Sequence, residues 1–434
     1  SRSNVIKDLN TTNIHLHGVH ISGEGESDNI FDIVGPSAFK RYHYYLPCDH
    51  SGGTFWYHSH HHGSTAVQVG GGAAGALIIE DSPQQENMPS YYSEMKEYVL
   101  VVQGFDLQYI QDLGKNEPDL LFWYDSHSGP NSFILINGLF QPTICVQENE
   151  WTKLRIVHVD NKNDLDLYFV PSDEKTGQCV TYLFAKDGVL LHGLNNETPR
   201  KVESAFFTPS SRADIAINCE YVSAEYLYQI KSGGGSGDII GYIKVIKSEA
   251  GSAKATPSIY PFSPNRPKYL QSLLNYTGPM QQYNDTGSFF KVSMGATTIN
   301  SQEFNGPATV PMAYLQSDLV NEWSINGASS HPTHAHINHF QIYSGGDTGP
   351  DNWTVTGDWI DTLQSNGVVR FHANRWGGTV ILHCHILEHE DKGSMAVVYI
   401  NGGCNWNLTS FYDENGRVIE PACNASCYAP WNQP

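Results

Sequence analysis

The stretch His383-Cys384-His385-Ile386-Leu387-Glu388-His389-Glu390-Asp391 places one thiol between two imidazoles, with a third imidazole four residues further on. Successive side chains of a β-strand point to opposite faces, so His383 and His385 share one face and Cys384 lies on the other. The thiolate can therefore hold one metal while both histidines reach a second site behind it. Two imidazoles and one thiolate, with a weak or absent axial ligand, are typical of an electron-transfer copper centre.

Three further clusters repeat this spacing, namely His15-Leu-His17, His58-Ser-His60 and His331-Pro-Thr-His334-Ala-His336. On a strand, each His-x-His pair puts two imidazoles on one side about 7 Å apart, where they can bind one metal or bridge two. Zinc or a structural role is the commoner explanation of one isolated pair. The four clusters together supply ten histidines and one cysteine.

These motifs resemble those of the multicopper oxidases, the family of laccases, ferroxidases, bilirubin oxidases and bacterial cuprous oxidases. The segment 383–391 is most similar to the bacterial and bilirubin-oxidase-like branch. In the middle of the chain, Ile136-Asn137-Gly138, Asp187-Gly188 and the segment 208–215 resemble the family's second domain, which carries no copper. The resemblance therefore covers nearly the whole chain and implies four coppers per chain.

The resemblance assigns a role to each ligand. A type 2 copper would be held by His15 and His334. The two type 3 coppers would be held by His17, His58 and His385, and by His60, His336 and His383. The type 1 copper would be held by His331, Cys384 and His389, with electrons arriving at His389 and leaving through Cys384. Two carboxylates match proton-relay positions of the family: Glu390, directly after a type 1 ligand, and Asp28, in a loop that also holds Glu24 and Glu26.

The chain departs from the family pattern beside the type 1 ligands. The axial residue of the family lies five positions after the second type 1 histidine, which here is Ser394, with Met395 next. An unbroken register predicts a three-coordinate site with a raised potential, whereas a one-residue bulge would bring Met395 to the copper. Three additional histidines, His61, His62 and His339, fall out of register with the motifs, and we expect them to support the ligands without binding metal or to have structural roles.

The fold expected from the resemblance is all-β, with three cupredoxin-like Greek-key sandwich or barrel domains. Short Val/Ile/Tyr-rich runs between Gly, Pro, Asn and Asp agree with it. We expect domains at 1–90, 91–252 and 265–403, followed by a cysteine-containing tail at 404–434. The family normally has a few strands before its first His-x-His-Gly, whereas here this motif begins at residue 15. We therefore expect either that the first domain is shortened at its N-terminal end or that the chain is a fragment.

The composition limits the kinds of partner that the protein is expected to bind and the cellular compartment in which it is expected. A net charge of −20 disfavours nucleic acid as a partner, and no apolar run is long enough to span a membrane. Apart from Cys384, seven cysteines remain, so one lacks an internal partner. Cys179 with Cys219, and the three cysteines after position 403, are the expected staples. With several Asn-x-Ser/Thr sites, these features lead us to expect an exported, extracellular protein, periplasmic if the source is bacterial, and a glycoprotein if it is eukaryotic.

Three functions follow from the sequence. The first is a laccase-like oxidase of phenols and aromatic amines, with dioxygen as the electron acceptor. The second is a metal oxidase for Fe(II) or, less favoured with only six methionines, for Cu(I). The third is a non-catalytic cupredoxin protein that only binds copper, which would not need all of the ligands.

Overall fold

The computed structural model describes residue 4 and the ranges 7–84, 86–106, 132–173, 176–191, 198–233, 237–248, 258–283, 287–350 and 353–404. Within these ranges strands dominate, which confirms the predicted all-β class. The helices there are short: α1 (Thr65–Gly70), α2 (Ser90–Ser93), α3 (Leu387–Asp391) and one 3₁₀ turn (Lys268–Leu270). No helix in the described ranges has the length and apolar character that crossing a bilayer requires.

The first group of strands, called the first domain below, is one antiparallel three-stranded sheet in the order β1-β2-β3. Its strands are β1 (His15–His17), β2 (Gly53–His58) and β3 (Ala74–Ile79). Aromatic and β-branched residues favour the extended chain of β2, where Phe55 packs with Val19 and Ile21. This sheet brings the first two histidine clusters together.

The second domain pairs an eight-stranded sheet with a five-stranded sheet. The strands of the larger sheet are β4 (Lys96–Asp106), β5 (Ser132–Ile136), β6 (Leu139–Phe140), β8 (Thr152–Val159), β10 (Cys179–Lys186), β11 (Val189–Leu190), β12 (Arg200–Val202) and β14 (Arg212–Cys219). Those of the smaller sheet are β7 (Thr143–Gln147), β9 (Leu165–Pro171), β13 (Ser204–Phe207), β15 (Leu227–Ser232) and β16 (Asp238–Ile246). One apolar core, to which both sheets contribute, fills the space between them.

The third domain is a sandwich of two five-stranded sheets, in the orders β17-β19-β24-β21-β22 and β18-β26-β25-β20-β23. The first sheet contains β17 (Phe290–Ser293), β19 (Val320–Asn326), β21 (Phe340–Gly345), β22 (Trp359–Ile360) and β24 (Gly367–His372). The second contains β18 (Ala313–Gln316), β20 (Thr333–Ala335), β23 (Thr362–Leu363), β25 (Gly378–Cys384) and β26 (Met395–Asn401). Cys384 lies in the core between the two sheets.

One of the expected disulfides lies within the described ranges. Cys179 on β10 is bonded to Cys219 on β14, with a Cα–Cα distance of 4.0 Å. Cys48 and Cys404 are also disulfide-bonded. Among the described residues, the free thiols are Cys384 and the exposed Cys145. The predicted tail beyond Cys404, with Cys423 and Cys427, lies outside the described residues.

Candidate metal centres

Strand pairing brings the histidine clusters to one place. In the first domain, β1 runs antiparallel to β2, so that His15 lies opposite His58. In the third domain, β20 runs antiparallel to β25, so that His334 lies opposite His383. His15 and His17 alternate with Leu16 and are both buried, as strand geometry predicts.

The two domains meet at these strands and form a single buried cluster of eight histidines. Their rings stack across the interface, with centroid distances of 3.7 Å between His17 and His334 and 3.9 Å between His15 and His336. The Nε2 atom of His60 lies 3.1 Å from that of His336 and 3.2 Å from that of His383. The structure thus brings together the eight predicted members: His15, His17, His58, His60, His334, His336, His383 and His385.

Triads within this cluster have the compactness of metal sites. Ligand atoms lie within 4.8 Å of one another in the set His17, His58 and His385, which is one predicted type 3 site. The same holds for sets that join His15, His17 and His334, or His334, His336 and His383. The predicted type 2 ligands, His15 and His334, therefore lie among the type 3 ligands.

The protonation state of the histidines suits metal binding. Burial, followed by the charges of neighbouring imidazoles, holds the pKa values of His15 and His385 well below the ordinary value. Burial also lowers the pKa of His58 to about 3 and that of His383 to about 4. Neutral imidazole is the form that binds metals.

Several buried ring nitrogens of the cluster have no hydrogen-bond partner among the described residues. They are His15 Nε2, His17 Nδ1, His58 Nε2, His334 Nε2 and both ring nitrogens of His385. Buried polar atoms are normally hydrogen-bonded, so several such atoms in one pocket need another partner. Imidazole nitrogens suit copper among the transition metals, and these residues therefore fit the group that the sequence predicts.

The second nitrogen of several rings is fixed by a hydrogen bond, which orients the ring. His15 Nδ1 lies 2.7 Å from Asp28 Oδ2, and His17 Nε2 lies 3.1 Å from Asp361 Oδ1. Backbone carbonyl groups hold Nδ1 of three other rings. His58 Nδ1 lies 2.8 Å from Ser59 O, and His334 Nδ1 lies 2.8 Å from Asp361 O. His383 Nδ1 lies 3.1 Å from Cys384 O.

The predicted type 1 ligands form a separate group in the third domain. Cys384 Sγ lies 3.5 Å from His389 Nδ1 and 3.8 Å from His331 Nδ1, and the two nitrogens are 3.1 Å apart. Cys384 is buried, whereas both histidines are partly exposed. Burial raises the pKa of the Cys384 thiol, so the thiolate form needs a cation beside it.

The two residues at and after the predicted axial position make contacts elsewhere. The Ser394 hydroxyl donates to the Gly295 carbonyl at 2.6 Å. Met395 opens β26 opposite His383 and packs among Ile381, Phe304 and other apolar side chains. This packing favours the unbroken register over the bulge.

Both predicted relay carboxylates lie against the cluster. Asp28 is buried, binds His15 Nδ1 and accepts the Leu16 N–H at 2.8 Å, and burial raises its pKa to about 8. Glu390 is fully buried, with its two oxygens 3.2 Å from His60 Nδ1 and 3.3 Å from His383 Nδ1. Burial, with the charge of Asp391, raises the pKa of Glu390.

Sequence reasoning missed Asp361, which touches the cluster from the third domain. Its carboxylate pairs with Arg212 of the second domain and reaches His17 of the first. The one signal in the sequence is an acidic residue within the apolar run from Trp359 to Leu363. His339 lies beside the same carboxylate, 3.5 Å from Asp361 Oδ2, and its Nε2 is 2.7 Å from Asp187 O.

Comparison with known proteins agrees with this fold. Multicopper oxidase profiles match residues 3–84 and 265–403. A multicopper oxidase of Staphylococcus haemolyticus is 24% identical over 91% of this chain and 77% of its own length, and a laccase of Bacillus subtilis is 24% identical over 88% and 78%. The crystal structure of a Pediococcus acidilactici laccase superposes with a TM-score of 0.65 at 22% identity, covering 91% of this chain and 79% of that one.

The chain belongs to the multicopper oxidase family. It is accordingly a copper oxidoreductase that uses dioxygen and a reducing substrate.

Proposed function

We propose that the protein is a laccase-like oxidase that binds four coppers and oxidises phenols and aromatic amines. Four phenol molecules each lose one electron and one proton and leave as phenoxyl radicals. One dioxygen takes up these four electrons and four protons and becomes two waters. The observation that carries the proposal is the complete ligand set, a His₂Cys group beside eight buried histidines.

Bound copper would supply the one-electron redox chemistry and the dioxygen reduction, and the chain would orient and insulate these reactions. His389 and His331 are partly exposed, so an aromatic substrate can approach an imidazole edge. Cys384 is covalently joined to His383 and His385, which belong to the buried cluster. This connection gives electrons a short path through bonds from one group to the other.

Asp28 and Glu390 would hold the protons that dioxygen reduction consumes. Both carboxyl groups lie against ring nitrogens of the cluster, and burial raises the pKa of each. A carboxyl group that stays protonated near neutral pH is a suitable general acid. The two carboxyl groups thus keep protons available at the place where dioxygen would be reduced.

The charges around His389 favour an organic substrate over a metal cation. Lys392 caps the C-terminal end of α3, and its positive charge, like that of Lys162, helps to lower the pKa of His389 after the larger effect of burial. Lys162 follows Asn161, whose carbonyl accepts the N–H of Leu387 at the start of α3. Two lysines near the electron-accepting edge repel Fe(II) and attract phenolates and carboxylated phenols.

A ferrous oxidase is the second candidate, because one observation favours it. Glu388 precedes His389 and places a carboxyl group, a hard oxygen ligand suited to Fe(II), next to the type 1 group. The charge of Glu388 acts to raise the pKa of Lys392, and the charges of Lys392 and Lys162 act to lower the pKa of Glu388, in each case against the larger effect of burial. The lysines oppose the binding of a cation there, and we rank this candidate second.

The test is copper loading followed by oxygen uptake. We expect four coppers per chain, a thiolate-to-copper charge-transfer band, and one dioxygen consumed for every four phenols. A carboxylated phenol should be oxidised faster than a neutral one, and this advantage should shrink in Lys162→Gln and Lys392→Gln but not in Lys268→Gln, which alters an exposed ion pair with Asp318. Oxygen uptake with Fe(II) alone would select the second candidate, and fewer than four coppers without oxygen uptake would leave only copper binding.

Export from the cytosol is part of the proposal. The disulfide between Cys179 and Cys219 supports it, because disulfides persist in oxidising compartments. Cell fractionation checks this point, and native protein recovered in the cytosol with reduced thiols would contradict it.

A further inference from the structure

Helix α1 begins without a cap from its own segment. It begins three residues after His62, and the side chain of its N-cap residue, Ser64, makes no capping hydrogen bond. The Ser64 hydroxyl instead donates to the carbonyls of Thr11 and His61. The first-turn N–H groups of an α-helix have no partner within the helix, and no acidic residue stands in the first turn of α1.

Asp391 of the third domain supplies the missing acceptor. Its Oδ1 accepts the N–H of Gly63 at 2.6 Å and that of Thr65 at 3.2 Å, and its Oδ2 accepts the N–H of Ala66 at 2.9 Å. The carboxylate is fully buried. A helix start in the first domain is thus capped by an acid 326 residues later in the chain, in the manner of an N-cap aspartate.

This contact joins two segments that both carry ligands. On one side, the capped turn begins three residues after His60. On the other, Asp391 ends α3, which contains His389 and follows His383 and His385. Asn161 of the second domain binds the same place, since its side chain donates to Ala66 O at 2.8 Å and its carbonyl accepts Leu387 N–H at 2.9 Å.

The two metal groups depend differently on this junction. His331, Cys384 and His389 all come from the third domain. The eight-histidine cluster is divided equally, with His15, His17, His58 and His60 from the first domain and four from the third. A displacement of the first domain against the third therefore moves His60 away from His383, 3.2 Å apart between Nε2 atoms, but does not separate the type 1 ligands, which all lie in the third domain.

We propose that Asp391 is a positioning residue that sets the first domain against the third, and that the eight-histidine cluster, but not the type 1 group, needs it to bind copper. The inference rests on the proposed function, since it assumes copper at both groups. Asp391 itself holds no metal in this scheme, and it acts through the backbone of residues 63–66. Its effect reaches His58 and His60 because the chain connects them directly to residues 63–66.

The experiment compares wild type, Asp391→Asn, Asp391→Glu and Glu322→Gln. Asn has one acceptor oxygen and no charge, whereas Glu keeps both oxygens and the charge. Glu322 pairs with Arg370 inside the third domain at 2.7 Å, so Glu322→Gln removes a carboxylate charge from that domain without touching α1. The readouts are copper per chain, the thiolate-to-copper band, paramagnetic resonance of the copper pair, and hydrogen exchange of the amides of residues 63, 65 and 66 in the copper-free chain.

We expect Asp391→Asn to keep the thiolate-to-copper band and one copper, to lose most of the other three, and to exchange these three amides at least tenfold faster. Asp391→Glu should recover part of the lost copper, and Glu322→Gln should resemble wild type. If Asp391→Asn does not fold, Asp391→Glu decides by the same measurements. Full copper in the Asp391 variant that folds, or loss of both groups together, would overturn the inference, whereas wild type that never binds four coppers would overturn the proposed function instead.

Discussion

Arg212 and Asp361 form a two-pronged ion pair where the three domains meet. Arg212 Nη1 lies 2.9 Å from Asp361 Oδ1, and Nη2 lies 2.7 Å from Oδ2. Both side chains are fully buried, and Asp361 also reaches His17. A fork of this geometry satisfies both carboxylate oxygens, so one residue of the second domain holds the third domain and orients a ligand of the first.

Loss of the guanidinium should destabilise the fold. In Arg212→Met the buried carboxylates of Asp361 and Asp187, which both face Arg212, would lose the guanidinium charge beside them. Removing one partner of a buried pair typically costs about 3–5 kcal/mol. Urea denaturation of the copper-free chain measures the effect, with Arg370→Met, at a more exposed pair, as the control. An equal or smaller loss in Arg212→Met than in the control would contradict the prediction.

Removing the thiol should abolish copper binding at the type 1 group but not at the eight-histidine cluster. Cys384→Ser lacks the type 1 thiolate but leaves the eight-histidine cluster unchanged, so we expect three coppers, no thiolate-to-copper band and almost no oxygen uptake. Metal analysis and absorption spectroscopy check this outcome. Cys145→Ser, at an exposed free thiol, should retain four coppers and the band, and the opposite pattern between the two variants would show that the assignment of the cysteine is wrong.

Met395 should have no influence on the type 1 potential. Because its side chain packs among Ile30, Phe304, Ile381 and Val397, Met395→Leu keeps a similar volume and should cost less than about 1.5 kcal/mol. Redox titration should give the wild-type potential. Met294→Leu, at another buried methionine of the third domain, is the matched control. A rise in potential in Met395→Leu alone would identify a thioether ligand, since the axial ligand tunes the potential.

Glu86 should make stability fall with pH in the acidic range. Its carboxylate accepts hydrogen bonds from Ser51 and from the backbone of Gly52 and Ser82, and burial, followed by Asp81, raises its pKa from 4.5 to about 7. The folded state therefore binds the proton more tightly than the unfolded state. The free-energy penalty of ionising the buried carboxyl group is absent below pH 4.5 and grows until about pH 7. The full penalty is about 3 kcal/mol.

Denaturation of wild type and Glu86→Gln between pH 4 and pH 8 measures this effect, since the amide cannot ionise. The stability of wild type relative to the variant should fall through the range of the pKa shift and stay constant above it. A difference that does not vary with pH would mean that Glu86 titrates normally in the folded chain.

The fold class and the grouping of the ligands were predictable because both depend on local periodicity. His-x-His puts two rings on one face of a strand, and His383-Cys384-His385 puts the thiol on the other. These rules hold before any tertiary contact forms. His15 and His17 follow them within one strand, whereas His60, His336 and His385 lie one or two residues beyond the ends of their strands and reach the same cluster. Asp28, in contrast, could not be separated from Glu24 and Glu26 by sequence, because only the folded loop brings its carboxylate to His15.

The contacts that fix the domains were not predictable. Arg212 and Asp361 are 149 residues apart, and Asp391 and Thr65 are 326 apart. No periodic pattern marks such pairs, and their partners are often backbone atoms, which leave no trace in side-chain chemistry. The same holds for His17, whose Nδ1 rather than Nε2 is left for the metal because Asp361 lies against its Nε2.

The division of ligands between the domains also decides how a loosened molecule behaves. The type 1 group lies within one domain, so a chain whose first domain has slipped away would still accept an electron from its substrate at His389. With the histidine cluster pulled apart, that electron would have no outlet. Such a molecule would take one reducing equivalent and then stop, as an electron carrier does. Docking of the first domain on the third thus decides whether the molecule works as an oxidase or only stores one electron.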